Sequence, residues 1–319
     1  MSSNKKIIVV IGATGGQGGS VVNTVLTDPK LNATWAVRGV TRDASKGSAK
    51  KLESQGAEVV EADVNSKDSL MNAFQGAYAV FAVTNYWEKL DMELEIQQGK
   101  NLADAAIATG IQHFIWSSLK NVTEITKGAL PNVYHFDSKA KVEEYIRSTS
   151  LPATYMMPGF YMSNFPGRNL RPSPPDNAWT LAMPLPATAT VPLIATIEDT
   201  GKFVSAILLN REATLGKRVL AATEYYSLEE LLQDFKDVYA EAGKTARYYE
   251  VPHEVYKGVL LNAGLPEFGA QELLENMRLL NEGGYYGGES LEWSHSLLHD
   301  KLTTWKEFIK TAPAFKDLK

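Results

Sequence analysis

The chain contains no cysteine, which excludes disulfides and thiolate metal sites. It also lacks any apolar run approaching the 18 residues of a membrane-spanning helix, so no membrane partner is expected. Charge of one sign is scarce: 32 Lys and Arg against 37 Asp and Glu leave a net charge of −5. Proteins that grip nucleic-acid phosphates carry a basic face. Here the doubled lysines are Lys5-Lys6 and Lys50-Lys51, and the latter reads as a solvated helix face. No direct nucleic-acid contact is therefore expected. The opening Met1-Ser2-Ser3-Asn4-Lys5-Lys6 leads straight into the first apolar run and leaves no room for a signal peptide. A cytoplasmic location is expected, with nuclear entry left open, since no clear basic import run is found. No G-x-S-x-G elbow or G-x-x-x-x-G-K phosphate loop occurs. His295 and His299 stand four apart and Asp300 follows, but no glutamate follows His295. A polar helix face is the expected reading there, and no metal site.

What is present begins at the first strand. Ile7-Ile8-Val9-Val10-Ile11 runs into Gly12-Ala13-Thr14-Gly15-Gly16-Gln17-Gly18-Gly19, and a helical pattern follows from Val21. The order is strand, tight turn, helix start. Glycines at 12, 15 and 18 let the backbone approach a ligand closely, and the helix N-terminus offers unpaired N–H groups to a phosphate. An ordinary glycine-rich turn is the competing reading, but the strand and helix on either side are the context that the dinucleotide fingerprint requires.

Strand-like apolar runs recur over 35–41, 58–62, 79–83, 113–117 and 153–157, separated by helical stretches over 45–55, 68–74, 92–109 and 136–148. On the 92–109 helix, Leu94, Leu102, Ala105, Ala106 and Ile107 form an apolar stripe. Such alternation predicts a Rossmann-type α/β fold, a doubly wound parallel sheet with its ligand at the carboxyl ends of the strands. From Pro158 the pattern changes. Prolines at 166, 172, 174, 175, 184, 186 and 192 punctuate a loop-rich stretch, and helices resume over 199–209, 228–242, 254–262 and 272–281. Short strands near 218–222 and 248–251 are expected to pair, and a last helix over 297–309 to bury Leu298, Leu302 and Trp305. The expected division is residues 1–157 as the nucleotide-binding domain and 158–319 as a smaller α+β lobe for substrate or partner, parts of which return to the first domain.

Strand two ends at Thr41-Arg42-Asp43. NAD-specific sites place a carboxylate there against the ribose 2′-hydroxyl; a guanidinium suits a 2′-phosphate. Arg42, with Lys46 nearby, favours NADP(H) over NAD(H), against the alternatives that Asp43 takes the ribose or that Arg42 is a plain surface residue. Asp63-Val64 fits either an adenine contact or a helix-capping turn. Thr84-Asn85-Tyr86-Trp87 is expected to line the cleft. Short-chain dehydrogenases pair a tyrosine with a lysine four residues later. Lys139 has His135 at that spacing, and Tyr134 is one position out of register. Lys139 can hold the nicotinamide ribose. His135 reads as an acid or, more blandly, as a packing or capping residue. Ser117 and Ser118 occupy the usual serine region. Glu143-Glu144 reads as a solvated face.

Gly12-Ala13-Thr14-Gly15-Gly16-Gln17-Gly18, Val83-Thr84-Asn85-Tyr86-Trp87-Glu88 and His135-Phe136-Asp137-Ser138-Lys139-Ala140-Lys141-Val142-Glu143-Glu144-Tyr145 together resemble the NmrA-like family, an atypical branch of the short-chain dehydrogenases. Pro158-Gly159-Phe160-Tyr161 extends the resemblance, and Ser138 departs from the family's usual glycine. The resemblance implies NADP(H) binding through Gly12, Thr14, Gly15, Gly16, Gln17, Gly18, Arg42, Lys46, Asp63, Val64, Thr84, Asn85, Tyr86, Lys139, Pro158, Phe160 and Tyr161. It also implies one of two functions. Some members are cofactor-redox sensors that bind a protein partner, such as a transcription factor or a metabolic enzyme. Others are reductases that keep the lysine, here Lys139, without the tyrosine. The sensor is the favoured expectation. Its candidate mobile elements are the 85–91 loop and the proline-rich span 166–175. For a reductase, Trp87, Phe160, Tyr161 and Met162 are candidate walls of the substrate pocket, unless they serve as core between the lobes.

Overall fold

A computed structural model of the chain describes residues 5–318; the expected lead-in at residues 1–4 lies outside the described residues. In chain order the strands are β1 (Lys6–Val10), β2 (Trp35–Thr41), β3 (Glu58–Glu61), β4 (Ala79–Ala82), β5 (His113–Ser117), β6 (Ala153–Pro158), β7 (Phe160–Tyr161), β8 (Leu170–Ser173), β9 (Ala178–Met183), β10 (Thr190–Ile194), β11 (Arg218–Ala221), β12 (Glu224–Ser227) and β13 (Arg247–Glu250). The large sheet runs β11-β6-β5-β4-β1-β2-β3, parallel throughout.

The central strands are apolar on both faces because helices cover both. β4, β5 and β6 are buried along their whole length, as parallel strands require. Alternation survives within β1: Ile8 and Val10 join one core, Val9 and Ile11 the other, in the two-residue period of a pleated strand. From β1 the chain winds outward through β2 to β3, then returns to β4 on the opposite side. The switch between β1 and β4 opens a crevice at their carboxyl ends, where such folds seat ligands. The fold is thus the expected doubly wound sheet with smaller sheets appended, β12-β10-β7 and β13-β9-β8.

The helix Thr196–Leu209 returns from the later half and packs on the first helix, Gly16–Thr27. The two approach closely at Gly201, whose N–H donates to Ser20 Oγ at 2.9 Å. A Cβ there would lie 2.5 Å from the Ser20 carbonyl oxygen.

Several expectations need correction. The strands near 218 and 248 do not pair: β11 joins β6 in the large sheet and β13 runs beside β9. The difference follows from burial. Val219, Leu220 and Ala221 are buried, whereas the end of β13 is exposed. Of the helix expected over 297–309 only Trp305–Ile309 forms, started by a capping box of Thr304 and Glu307; a separate short helix, Glu292–Ser296, lies before the expected range. Trp305 is buried as expected; Leu298 and Leu302 are half-buried against the core of the large sheet. The 228–242 helix divides at Tyr239. On the helix Met92–Ala108 the stripe is Ile96, Leu102, Ala103, Ala105 and Ala106, and Ile107 points to solvent. Met162 is fully buried in a core cluster with Phe160, Phe165 and Leu170 and is not among the residues lining the cleft. Glu143 is buried, not solvated: it accepts from Ser118 Oγ at 2.6 Å and pairs with Arg147 and Arg218, both at 2.8 Å. Only Glu144 faces water.

Candidate functional site

One cleft of about 1010 Å³ lies over the switch point, at the top of the size range for small-molecule sites. All the residues expected to hold a cofactor line it, together with His135, Trp87 and Ser117.

Its floor is the glycine turn. Gly12 takes φ +67, a left-handed value that favours glycine, and its carbonyl accepts from Gly15 N–H at 2.8 Å. A Cβ on Gly18 would lie 2.6 Å from the Gly12 carbonyl carbon and 2.9 Å from Ala13 N. Only glycine lets the helix start sit this close to the turn. The first turn of that helix carries no acidic residue, so its dipole faces the cleft uncancelled. Across from Gly16 stands Thr196, whose buried Oγ1 has no hydrogen-bond partner. A cradle without side chains and an orphaned hydroxyl beside it together fit a pyrophosphate.

At the tip of β2, Arg42 Nη1 pairs with Glu88 Oε1 at 2.6 Å, both side chains partly in solvent. Such an exposed pair is worth little. Asp43 is occupied locally: its Oδ1 accepts from Ser45 Oγ at 2.6 Å and Ser45 N–H at 2.9 Å. These bonds hold its carboxyl below its ordinary value. Asp63 does not cap the next helix. It accepts from Asn65 while Ser66 caps Lys67–Phe74. Deeper in, Gln17 Nε2 donates to Tyr161 Oη at 2.7 Å and Gln17 Oε1 accepts from Ser117 Oγ at 2.8 Å. One amide thus ties the glycine turn to β5 and to β7. Ser118 turns away to Glu143 and lines no part of the cleft.

Lys139 projects from the helix Tyr134–Arg147 into a buried network. Its Nζ donates to Glu95 Oε1 at 2.5 Å, to Thr84 Oγ1 at 3.0 Å and to the Thr84 carbonyl at 3.2 Å. Glu95 is 1% exposed and also accepts from the Thr84 and Ser138 hydroxyls. Burial pushes the Glu95 carboxyl up; Lys139 and the two hydroxyls outweigh it and hold the group below its ordinary value. Ser138, the departure from the family's glycine, is thus one of the donors on this carboxylate.

One turn toward the N-terminus, His135 neither caps the helix nor merely fills space. Its Nδ1 lies 2.7 Å from Glu272 Oε1, which also accepts the His135 backbone N–H at 2.8 Å. Glu272 Oε2 accepts from Tyr86 Oη at 2.7 Å. Burial first, and then this carboxylate, push the Tyr86 phenol well above its ordinary value. Trp87 lies against the His135 ring at 4.8 Å between centroids. Phe160, Met277, Leu260 and Tyr285 also line the cleft, as do the polar Asn164, Asn169 and Asn276.

Sequence reasoning missed Glu95, Glu272, Thr196 and Asn276. Glu272 sits 137 residues beyond the histidine it holds, and no local pattern marks it. Among the described residues no three His, Asp or Glu are grouped to hold a metal. His295 Nε2 lies 2.8 Å from the Ala222 carbonyl oxygen and His299 is exposed. No described helix is long and apolar enough to cross a membrane.

The chain is similar to known proteins along almost its whole length. An NmrA-like family domain-containing oxidoreductase, cpsB of Aspergillus campestris, is 31% identical over 308 residues, covering 90% of this chain and 87% of its own. The structure of NmrA, a negative transcriptional regulator, in complex with NADP superposes with a TM-score of 0.80 at 21% identity, over 98% of this chain and 97% of that one. Triphenylmethane reductase from Citrobacter sp., complexed with NADP(H), gives a TM-score of 0.76 at 24% identity, over 96% and 99%. The model of the NmrA-like family matches residues 4–309, and the chain belongs to that family.

Proposed function

We propose that this protein is an NADP(H)-dependent reductase of small carbonyl, enone or aromatic substrates. The observation that carries this reading is a single cleft joining two kinds of surface: the glycine cradle with Arg42 at one part, and His135 with Phe160, Leu260 and Met277 at another. The turn at Gly12 to Gly18 and the Thr196 hydroxyl would hold the pyrophosphate, Arg42 and Lys46 a 2′-phosphate, and Asp63 and Val64 the adenine side. The reduced nicotinamide, when bound, supplies a hydride. The protein's share is to hold it, to exclude water with Phe160, Met277 and Tyr285, and to place polar groups beside the substrate. The oxidoreductase names of the curated relatives support the same reading.

The Arg42–Glu88 contact favours a second reading, a regulator that binds a protein partner according to cofactor state. It links the residue facing a 2′-phosphate to the turn Tyr86–Glu88. Tyr86 in turn holds Glu272, and Trp87 is 43% exposed. Occupation of Arg42 by a phosphate would release Glu88 and alter that surface.

Titration of NADPH, NADP, NADH and NAD, followed by absorbance assays with carbonyl and enone panels, separates the two readings. Turnover supports the reductase; tight binding with no turnover of any acceptor supports the regulator. Arg42→Ala is expected to weaken NADPH by roughly 10- to 100-fold, the scale of one lost charge-assisted contact, and to leave NADH within about 3-fold. Equal losses for both cofactors mean that Arg42 does not read the 2′-phosphate.

A further inference from the structure

We propose that His135 is the proton donor to a neutral, polarised acceptor, a ketone or enone, with Glu272 as its positioning residue; this rests on the reductase reading above. Glu272 is fully buried, and its donors are Tyr86 Oη, His135 N–H and the His135 ring. With Nδ1 fixed on that carboxylate, the other ring nitrogen is the one left to react. Nε2 makes no hydrogen bond to a described residue, is not sealed from solvent, and belongs to a side chain lining the cleft. Lys139, the residue the resemblance points to, has its three N–H donors engaged by Glu95 and Thr84. The imidazole is therefore the group at this part of the cleft with an uncommitted ring nitrogen.

A second observation marks the place of the acceptor. Asn276 lies one helical turn beyond Glu272 on the helix Glu267–Glu282, so the two share a face. It is 7% exposed, it lines the cleft, and its Oδ1 is buried without a partner. A buried amide oxygen without a partner is costly unless a ligand supplies a donor. His135 and Asn276 thus offer a proton donor and a polar anchor in a cleft that Phe160, Leu260 and Met277 also line. The ligand class that fits is a neutral, mostly apolar molecule with an acceptor oxygen for His135 and an N–H or O–H for Asn276.

The proton balance makes the role testable. A neutral C=O or C=C–C=O acceptor that receives a hydride at carbon is left with a negative oxygen. The O–H bond forms as the Nε2–H bond breaks, the imidazolium becomes neutral imidazole, and solvent returns the proton. The acceptor gains two electrons, which arrive with the hydride from the cofactor. A triphenylmethane dye cation differs: its central carbon takes the hydride and the molecule becomes neutral, with no proton needed.

Wild type, His135→Gln and Glu272→Gln are compared on an enone panel and on such a dye cation, each with NADPH. The expected result is a fall in kcat on enones of roughly 10²- to 10⁴-fold for His135→Gln and a smaller fall for Glu272→Gln, with the His135→Gln loss on the dye at least about 10-fold smaller than its loss on enones. Equal losses on both acceptor classes, or none on enones, overturn the proposal while leaving the reductase reading intact. No turnover of either class by wild type overturns both. A readout independent of turnover uses diethyl pyrocarbonate, which modifies free imidazole nitrogens. The Nε2 atoms of His113 and His295 are engaged. Mass spectrometry is therefore expected to find modification at His135 and at the exposed His253 and His299, with NADP protecting His135 alone. A His135 that stays unreactive in the protein without cofactor even at alkaline pH, or that NADP does not protect, also overturns the proposal.

Discussion

Gly18→Ala is expected to abolish measurable dinucleotide binding and to lower Tm. The added methyl group has nowhere to go. It meets the carbonyl group of Gly12 and the next peptide nitrogen, which are backbone atoms that no rotamer change can move aside. Either the first helix lifts off the turn or the turn itself shifts, and each displaces the N–H groups that face the cleft. Overpacking of this kind costs about 1–3 kcal/mol in stability. The effect on binding is larger, because a phosphate cradle depends on several N–H groups converging at once. A loss of at least about 100-fold in NADPH affinity, near 2.7 kcal/mol, is expected by calorimetry. Gly47→Ala is the control: that glycine also starts a helix, but a Cβ there meets nothing within 4 Å. NADPH binding to Gly18→Ala at wild-type strength would show that close approach at this turn does not form the site.

Residue 18 also shows which parts of this protein are legible from sequence. The glycine spacing, the apolar run before it and the helical pattern after it are contiguous, and their physics is local. The same holds for β2, β4, β5 and β6, whose apolar runs fix both their existence and their burial. Legibility fails where a contact is distant. Arg218 to Ala221 is a short apolar run with no local sign of which sheet it will join. The sheet edge beside β6, whose partners lie 63 residues earlier in sequence, decides that. His135 carries no sign of Glu272, Lys139 none of Glu95, and Glu143 none of Arg218. Each of these is a polar residue on a helix, and nothing in the local pattern names its partner. Each is buried because a charge or a donor from another element meets it there. Charged residues enter a core only when paired, and the pairing is a property of the fold. The last helix failed for a smaller reason: Thr304 and Glu307 form a capping signal that an apolar periodicity running across it concealed.

The second large effect is expected at Glu95. Its carboxylate, deep between the helix Met92–Ala108 and the helix carrying Lys139, accepts from Lys139, Thr84 and Ser138. Glu95→Leu leaves the Lys139 ammonium, 9% exposed, without its counter-charge. Removing one partner of a buried pair costs about 3–5 kcal/mol, because the remaining charge stays desolvated. A fall of that size in unfolding free energy is expected by denaturant titration. Adding Lys139→Met to Glu95→Leu removes the stranded charge and is expected to restore more than half of the loss, since an apolar pair of similar volume often matches a buried ion pair. The pH dependence has a definite sign. The folded protein holds this carboxyl below its ordinary value, so its contribution is complete above about pH 4.3, the ordinary value of a glutamate. The contribution is lost as pH falls through the lower folded value. Glu95→Leu is therefore expected to flatten the acid limb of the stability curve as well as lower its plateau. A plateau within about 1 kcal/mol of wild type would mean that Lys139 reaches solvent or another anion once Glu95 is gone, and that the pair is not what fixes Lys139 at the cleft.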